Sequence, residues 1–72
     1  MTRDEWVAAF AAAAGVPAPT PDEMDALLEL AGVAAHASER TSAPITCWVA
    51  AVAGLRPSEA LDVAESLERN RP

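Results

Sequence analysis

A small all-α fold, either a four-helix bundle or an orthogonal helical array, is what this sequence predicts. Three observations carry the expectation. Gly15, Pro17, Pro19, Pro21, Pro44, Gly54 and Pro57 divide the chain into short segments. Within those segments the apolar residues recur at three- and four-residue spacing, the period of an α-helix. Alanine supplies 18 of the 72 residues and only three are aromatic, so the core is expected to be made of small side chains and close helix contacts. A chain of this length has room for one domain, here residues 1–72, burying roughly 60% of its unfolded surface. Docking on a partner or self-association would add to so modest a stability.

The first helix is expected over residues 3–14. Thr2 and Glu5 have the spacing of a capping box, in which each side chain bonds the other residue's backbone amide. Trp6, Val7, Phe10 and Ala14 then share one face. Gly15 supplies a left-handed stop, and Pro17 and Pro19 prevent continuation. The second helix, residues 21–40, starts with Thr20 as cap, Pro21 at the first helical position, and Asp22 and Glu23 where the helix dipole favours acids. Its main stripe runs through Met24, Leu27, Leu28, Ala31, Ala35 and Ser38. Leu30 and Val33 widen the apolar arc, which implies more than one neighbour. Gly32 in mid-helix costs about 1 kcal/mol relative to alanine and suggests a close backbone approach.

Residues 41–43 are expected to form a corner, because a residue followed by proline is pushed away from helical geometry. The third helix, residues 44–53, carries no charge. A helix apolar on all sides is either the centre of a bundle or a docking surface. Gly54 ends it, and Pro57 opens the fourth helix, residues 57–69, with Ala60, Leu61, Ala64 and Leu67 facing inward and Asp62, Glu65 and Arg69 facing out. The residues beyond it are expected to fray.

Charge and cysteine content narrow the function classes. Eleven acids against five arginines and no lysine leave a net charge of −6, with no basic stripe to meet a phosphate backbone. No nucleic-acid partner is therefore expected; an acidic surface suits solubility or a basic patch on a protein. The single cysteine, Cys47, can form neither an internal disulfide nor a cysteine-based zinc cluster, which fits a reducing compartment. Neither a secretory signal nor a membrane span is evident, so no membrane partner and a cytoplasmic location are expected.

The most varied polar residues lie between Ala34 and Trp48. His36, Glu39 and Arg40 stand at three- and four-residue spacing, and Thr46 follows the corner. Two roles fit them. A solvated helix end would hold a local Glu–Arg pair, or would let Arg40 cap carbonyls at the corner. A recognition patch would have Arg40 bind a carboxylate or phosphate while His36 and Glu39 orient it. His36 and Glu39 make only two potential metal ligands, so no metal site is expected, and no cofactor. Cys47 lies in an apolar helix beside Trp48 and reads as a small buried hydrophobe. With no phosphate-cradling glycine loop and no catalytic carboxylate pair, no enzyme activity is expected. Trp6 and Trp48 read most simply as core residues, although an exposed tryptophan would be a strong interface anchor.

Asp4 to Trp6, Leu30 to Arg40, the Ala43-Pro44-Ile45-Thr46 segment and Gly54 together resemble a small domain of unknown function from high-GC bacteria, with Ile45 where leucine is usual. That domain occurs alone or appended to molybdenum cofactor guanylyltransferases, and the resemblance spans roughly residues 2–67. It implies a non-enzymatic interaction module, an accessory to molybdopterin-guanine dinucleotide maturation or to a molybdoenzyme. The expected surface is Val33, His36, Glu39, Arg40 and Thr46. Two alternatives stand beside it: a small-anion binder at the His36/Arg40/Thr46 corner, and a structural homodimer with the third helix as its seam.

Overall fold

The computed structural model describes residues 1–71. Four helices follow one another: α1 (Arg3–Ala14), α2 (Pro21–Ala37), α3 (Ser42–Val52) and α4 (Pro57–Arg69). No strand occurs among the described residues, so the expected all-α class holds.

Local chemistry explains the starts and stops. At α1, Thr2 Oγ1 accepts the Glu5 amide at 3.1 Å, and Glu5 Oε1 accepts the Thr2 amide at 2.9 Å. Thr20 and Glu23 repeat the exchange at α2, at 3.1 and 2.8 Å. Each capping box satisfies two of the amides that a helix start leaves without partners. At α4 only half the device is available, because Arg56 has no side-chain acceptor; Glu59 accepts the Arg56 amide at 2.8 Å. After α3, Gly54 adopts φ +74° and its amide bonds the Ala51 carbonyl, while the Leu55 amide bonds that of Ala50. This is a Schellman turn, and it tucks Leu55 against the core.

The corner between α2 and α3 departs from the expectation. α2 stops at Ala37, three residues before Arg40, and α3 begins at Ser42, two residues before Pro44. Pro44 has no N–H with which to bond the Arg40 carbonyl, as a continuous helix would require. Instead the Ser42 amide bonds the Glu39 carbonyl at 2.9 Å, and the Ala43 amide bonds the Arg40 carbonyl at 3.2 Å. Pro44 then stands in the first turn of α3, where a missing amide loses nothing. A second departure concerns the chain end. Arg71, expected to fray, donates to the Ala37 carbonyl at 3.1 Å and pairs with Glu68 at 3.3 Å. Capping of the α2 carbonyls thus belongs to Arg71, not Arg40.

α2 is the central helix and packs against both α3 and α4. α2 and α4 run in the same direction. Their starts flank one shallow cleft, where Asp22, Glu23 and Ala26 meet Arg56–Glu59, and their ends meet at Arg71 and Ala37. The core is Leu30, 1% exposed, with Ala50 and Ala60, ringed by Leu27, Cys47, Leu55 and Ala64. The expected stripe on α2 is therefore rotated. Leu30 and Ala34 are its buried residues, whereas Leu28 is exposed. The close approach expected at Gly32 is not there either, since an added Cβ would meet no atom within 4 Å.

α1 forms no comparable interface with the other three helices. α2 is about 25 Å long at 1.5 Å per residue, yet the molecule extends 42 Å along its longest axis. Trp6, expected in the core, and Phe10 on the same face are 60% and 64% exposed, with ring centroids 6.3 Å apart. A helix this short is marginal in isolation. What holds it are its capping box, its alanines and the Gly15 turn, at φ +78°.

Candidate interaction surface

The residues singled out in the sequence are distributed over two different places. Val33, near the end of α2, and Thr46, on α3, are half-buried and line one groove. His36 is exposed on the last turn of α2, and Glu39 and Arg40 are exposed in the turn that follows. Helical spacing does not connect His36 to Arg40, because the helix ends between them. Glu39 accepts a 3.3 Å hydrogen bond from the Thr41 hydroxyl. The salt bridges among the described residues are Arg3–Asp4 and Arg71–Glu68, so the local Glu39–Arg40 pair is not formed. The structure gathers Val33 and Thr46 and leaves His36, Glu39 and Arg40 on the open corner above them.

The groove opens between α2, α3 and α4 and has a volume of about 310 Å³. Its floor is small, made by Ala34, Ala50, Ala60 and Ala64. Val49, Val63 and Leu67 form the rim, all three more than half exposed. Leu67, expected to face inward, is 69% exposed and sits on this rim.

The second surface was the less visible of the two in the sequence. Ile45, Trp48 and Val52 run along the outer side of α3 and are 63%, 68% and 65% exposed. With Val49 they occupy positions i, i+3, i+4 and i+7, a complete helical stripe. Ala43, Cys47 and Ala50 face the other way, into the protein. α3 is therefore not the bundle centre, and Trp48 is not a core residue. That i, i+3, i+4, i+7 spacing was the available signal, masked by an equally apolar opposite side. The corner bearing His36, Glu39 and Arg40 borders the N-terminal end of the same helix.

The chemistry available here is that of contact. Among the described residues no three His, Cys, Asp or Glu side chains gather as metal ligands would. No described helix is long and apolar enough to cross a membrane. The Glu5 carboxylate is displaced below its ordinary range. Its bonds to the Thr2 amide and hydroxyl hold it below 4.5, and they belong to the α1 cap.

Neither the curated proteins nor the solved structures contain a match to the chain. A family model does match, and it covers residues 1–71, essentially all four helices, the groove and the α3 stripe. The chain accordingly belongs to the DUF6457 family, a domain of unknown function.

Proposed function

We propose that this chain is a non-enzymatic protein-docking module that binds its partner through the outer face of α3. The carrying observation is the Ile45–Trp48–Val52 row, exposed along a helix that bears no charge. Isolated exposed apolar residues need no explanation, but a contiguous row centred on a tryptophan is the composition of an interface core. His36, Glu39 and Arg40 at its N-terminal end supply a polar rim. Their charges act on encounter rate and orientation more than on the strength of the final complex. The net charge of −6 favours a partner with a basic surface around its apolar contact.

The partner we assign is a molybdenum cofactor guanylyltransferase or a molybdoenzyme, with the chain acting as an accessory to maturation in the cytoplasm. This rests on the resemblance to a domain that occurs appended to such transferases. The test is a calorimetric titration of the purified chain with a purified guanylyltransferase from the same cell. Saturable binding is expected for the wild type, and Trp48→Ala should weaken it about thirtyfold or more, as loss of a central aromatic anchor does. Absence of wild-type binding overturns the guanylyltransferase as partner, and the same titration with a purified molybdoenzyme decides the other. Unchanged affinity in a folded Trp48→Ala chain overturns the face.

A further inference from the structure

We infer that the groove between α2, α3 and α4 is filled by α1 of a second copy of this chain, and reciprocally. This goes beyond the docking function above and uses a surface that shares only Val49 with it, since Ile45, Trp48 and Val52 do not line the groove.

The surface area points to a missing partner. By the scaling of area with mass, a folded monomer of 7.5 kDa exposes about 4,250 Å². This chain exposes 5437 Å², an excess of roughly 1,200 Å² over that scaling. Two copies covering that excess would bury about 2,400 Å² in total, within the range of permanent protein interfaces.

The excess has an identifiable location. Trp6 and Phe10, both exposed, and the half-buried Val7 form an apolar stripe on α1, a helix with no comparable interface to the other three. The groove offers the complementary shape, an alanine floor with a rim of Val49, Val63 and Leu67, into which large rings can settle. Knob and hole are both unfilled in one chain, and three helices stand where a four-helix arrangement would have a fourth.

The linker favours a second copy over folding back. Val16, Pro17 and Pro19 form one wall of the hollow along the Trp6–Phe10 side of α1, so linker and helix make one unit. Both prolines have fixed φ and restrict the residues before them, which makes this stretch a stiff spacer. A stiff spacer that holds α1 away from its own core leaves its stripe available to another. Exchange of one element between identical chains then closes a two-fold dimer.

The test measures the mass of the full chain by sedimentation equilibrium over a range of concentrations. Two variants accompany it, Trp6→Ala/Phe10→Ala and Val63→Arg/Leu67→Arg. All four positions are more than half exposed, so the single-chain fold should survive, with circular dichroism as the check. Arginine also lowers the negative charge, so weaker pairing cannot be ascribed to added repulsion. A concentration-dependent dimer is expected, weakened roughly 100-fold by either variant and unaffected by Trp48→Ala. Tryptophan emission in a Trp48→Phe background should shift to the blue as the dimer forms, reporting burial of Trp6. A monomer at every concentration overturns the proposal, as does a dimer indifferent to both variants. Blue emission from Trp6 in a monomer would show that α1 folds back, and would overturn it too.

Discussion

Leu30→Ala should be the most damaging single truncation in this molecule. Leu30 is 1% exposed, and its neighbours Ala50 and Ala60 have no length with which to fill the space it would leave. Removing a buried leucine to alanine costs the lost transfer energy plus the energy of the cavity, 2 to 5 kcal/mol in all, and at least ~3 kcal/mol is expected here. A domain of this length has a total stability of roughly 4 to 11 kcal/mol, so the loss is a large fraction of it. At about 4 to 8 °C per kcal/mol for a domain this size, Tm should fall by roughly 12 to 24 °C. Leu28→Ala, two residues earlier on the exposed side of α2, should cost under about 0.5 kcal/mol. The assay is urea and thermal unfolding followed by circular dichroism. Both variants should be compared at one low protein concentration, since association would stabilise either. Equal losses at the two positions would refute the packing described here and return α2 to the rotation its sequence suggested.

Three further outcomes follow from the same structure. Gly32→Ala should stabilise the chain by up to about 1 kcal/mol, because the added methyl meets nothing within 4 Å and the helix gains propensity; a lower Tm would reveal a close approach after all. Arg40→Ala should leave Tm within about 2 to 4 °C of the wild type, since Arg40 is exposed and Arg71 is the residue bonded to the end of α2; a large drop would restore Arg40 as the structural cap. Because the Glu5 carboxylate is held below its ordinary 4.5 in the folded chain, its contribution to the α1 cap is complete above that value and is lost as pH falls through the lowered one. The protection of the α1 amides, taken as the exchange rate relative to the intrinsic rate at each pH, should therefore fall on acidification below about 4.5, and Glu5→Gln, which keeps an acceptor but does not titrate, should flatten that response.

What the sequence revealed divides along physical lines. The helix starts rest on local chemistry, and Thr2/Glu5 and Thr20/Glu23 form the hydrogen bonds their spacing implies. The turn at Gly54 is local in the same way. The rotation of α2 is not. Leu27, Leu28, Leu30 and Val33 surround much of the helix, so apolar periodicity alone could not select the side that meets α3 and α4. Trp6 and Trp48 were expected inside because large apolar residues usually are, yet α1 makes no comparable interface with the other helices and Trp48 lies on the side of α3 turned away from the core. Arg71 depended on a contact with Ala37, 34 residues away, which no local rule encodes. Of the candidate surface, Val33 and Thr46 were identified as residues of interest, but their role as groove lining required the fold. His36 and Arg40 were linked through a helix that stops between them. The α3 stripe was written in its spacing, and only the position of α3 beside the central α2 shows which side is free.

We propose that the outer face of α3 is a surface for another protein, open in the chain alone. Tryptophan emission from a Trp6→Phe chain, in which Trp48 is the sole reporter, tests it directly when recorded at high dilution and again with saturating guanylyltransferase. Emission characteristic of indole in water, moving to the blue when the partner is added, is the predicted result. Blue emission already present in the dilute chain, with no response to the partner, would contradict the claim and place Trp48 inside the fold.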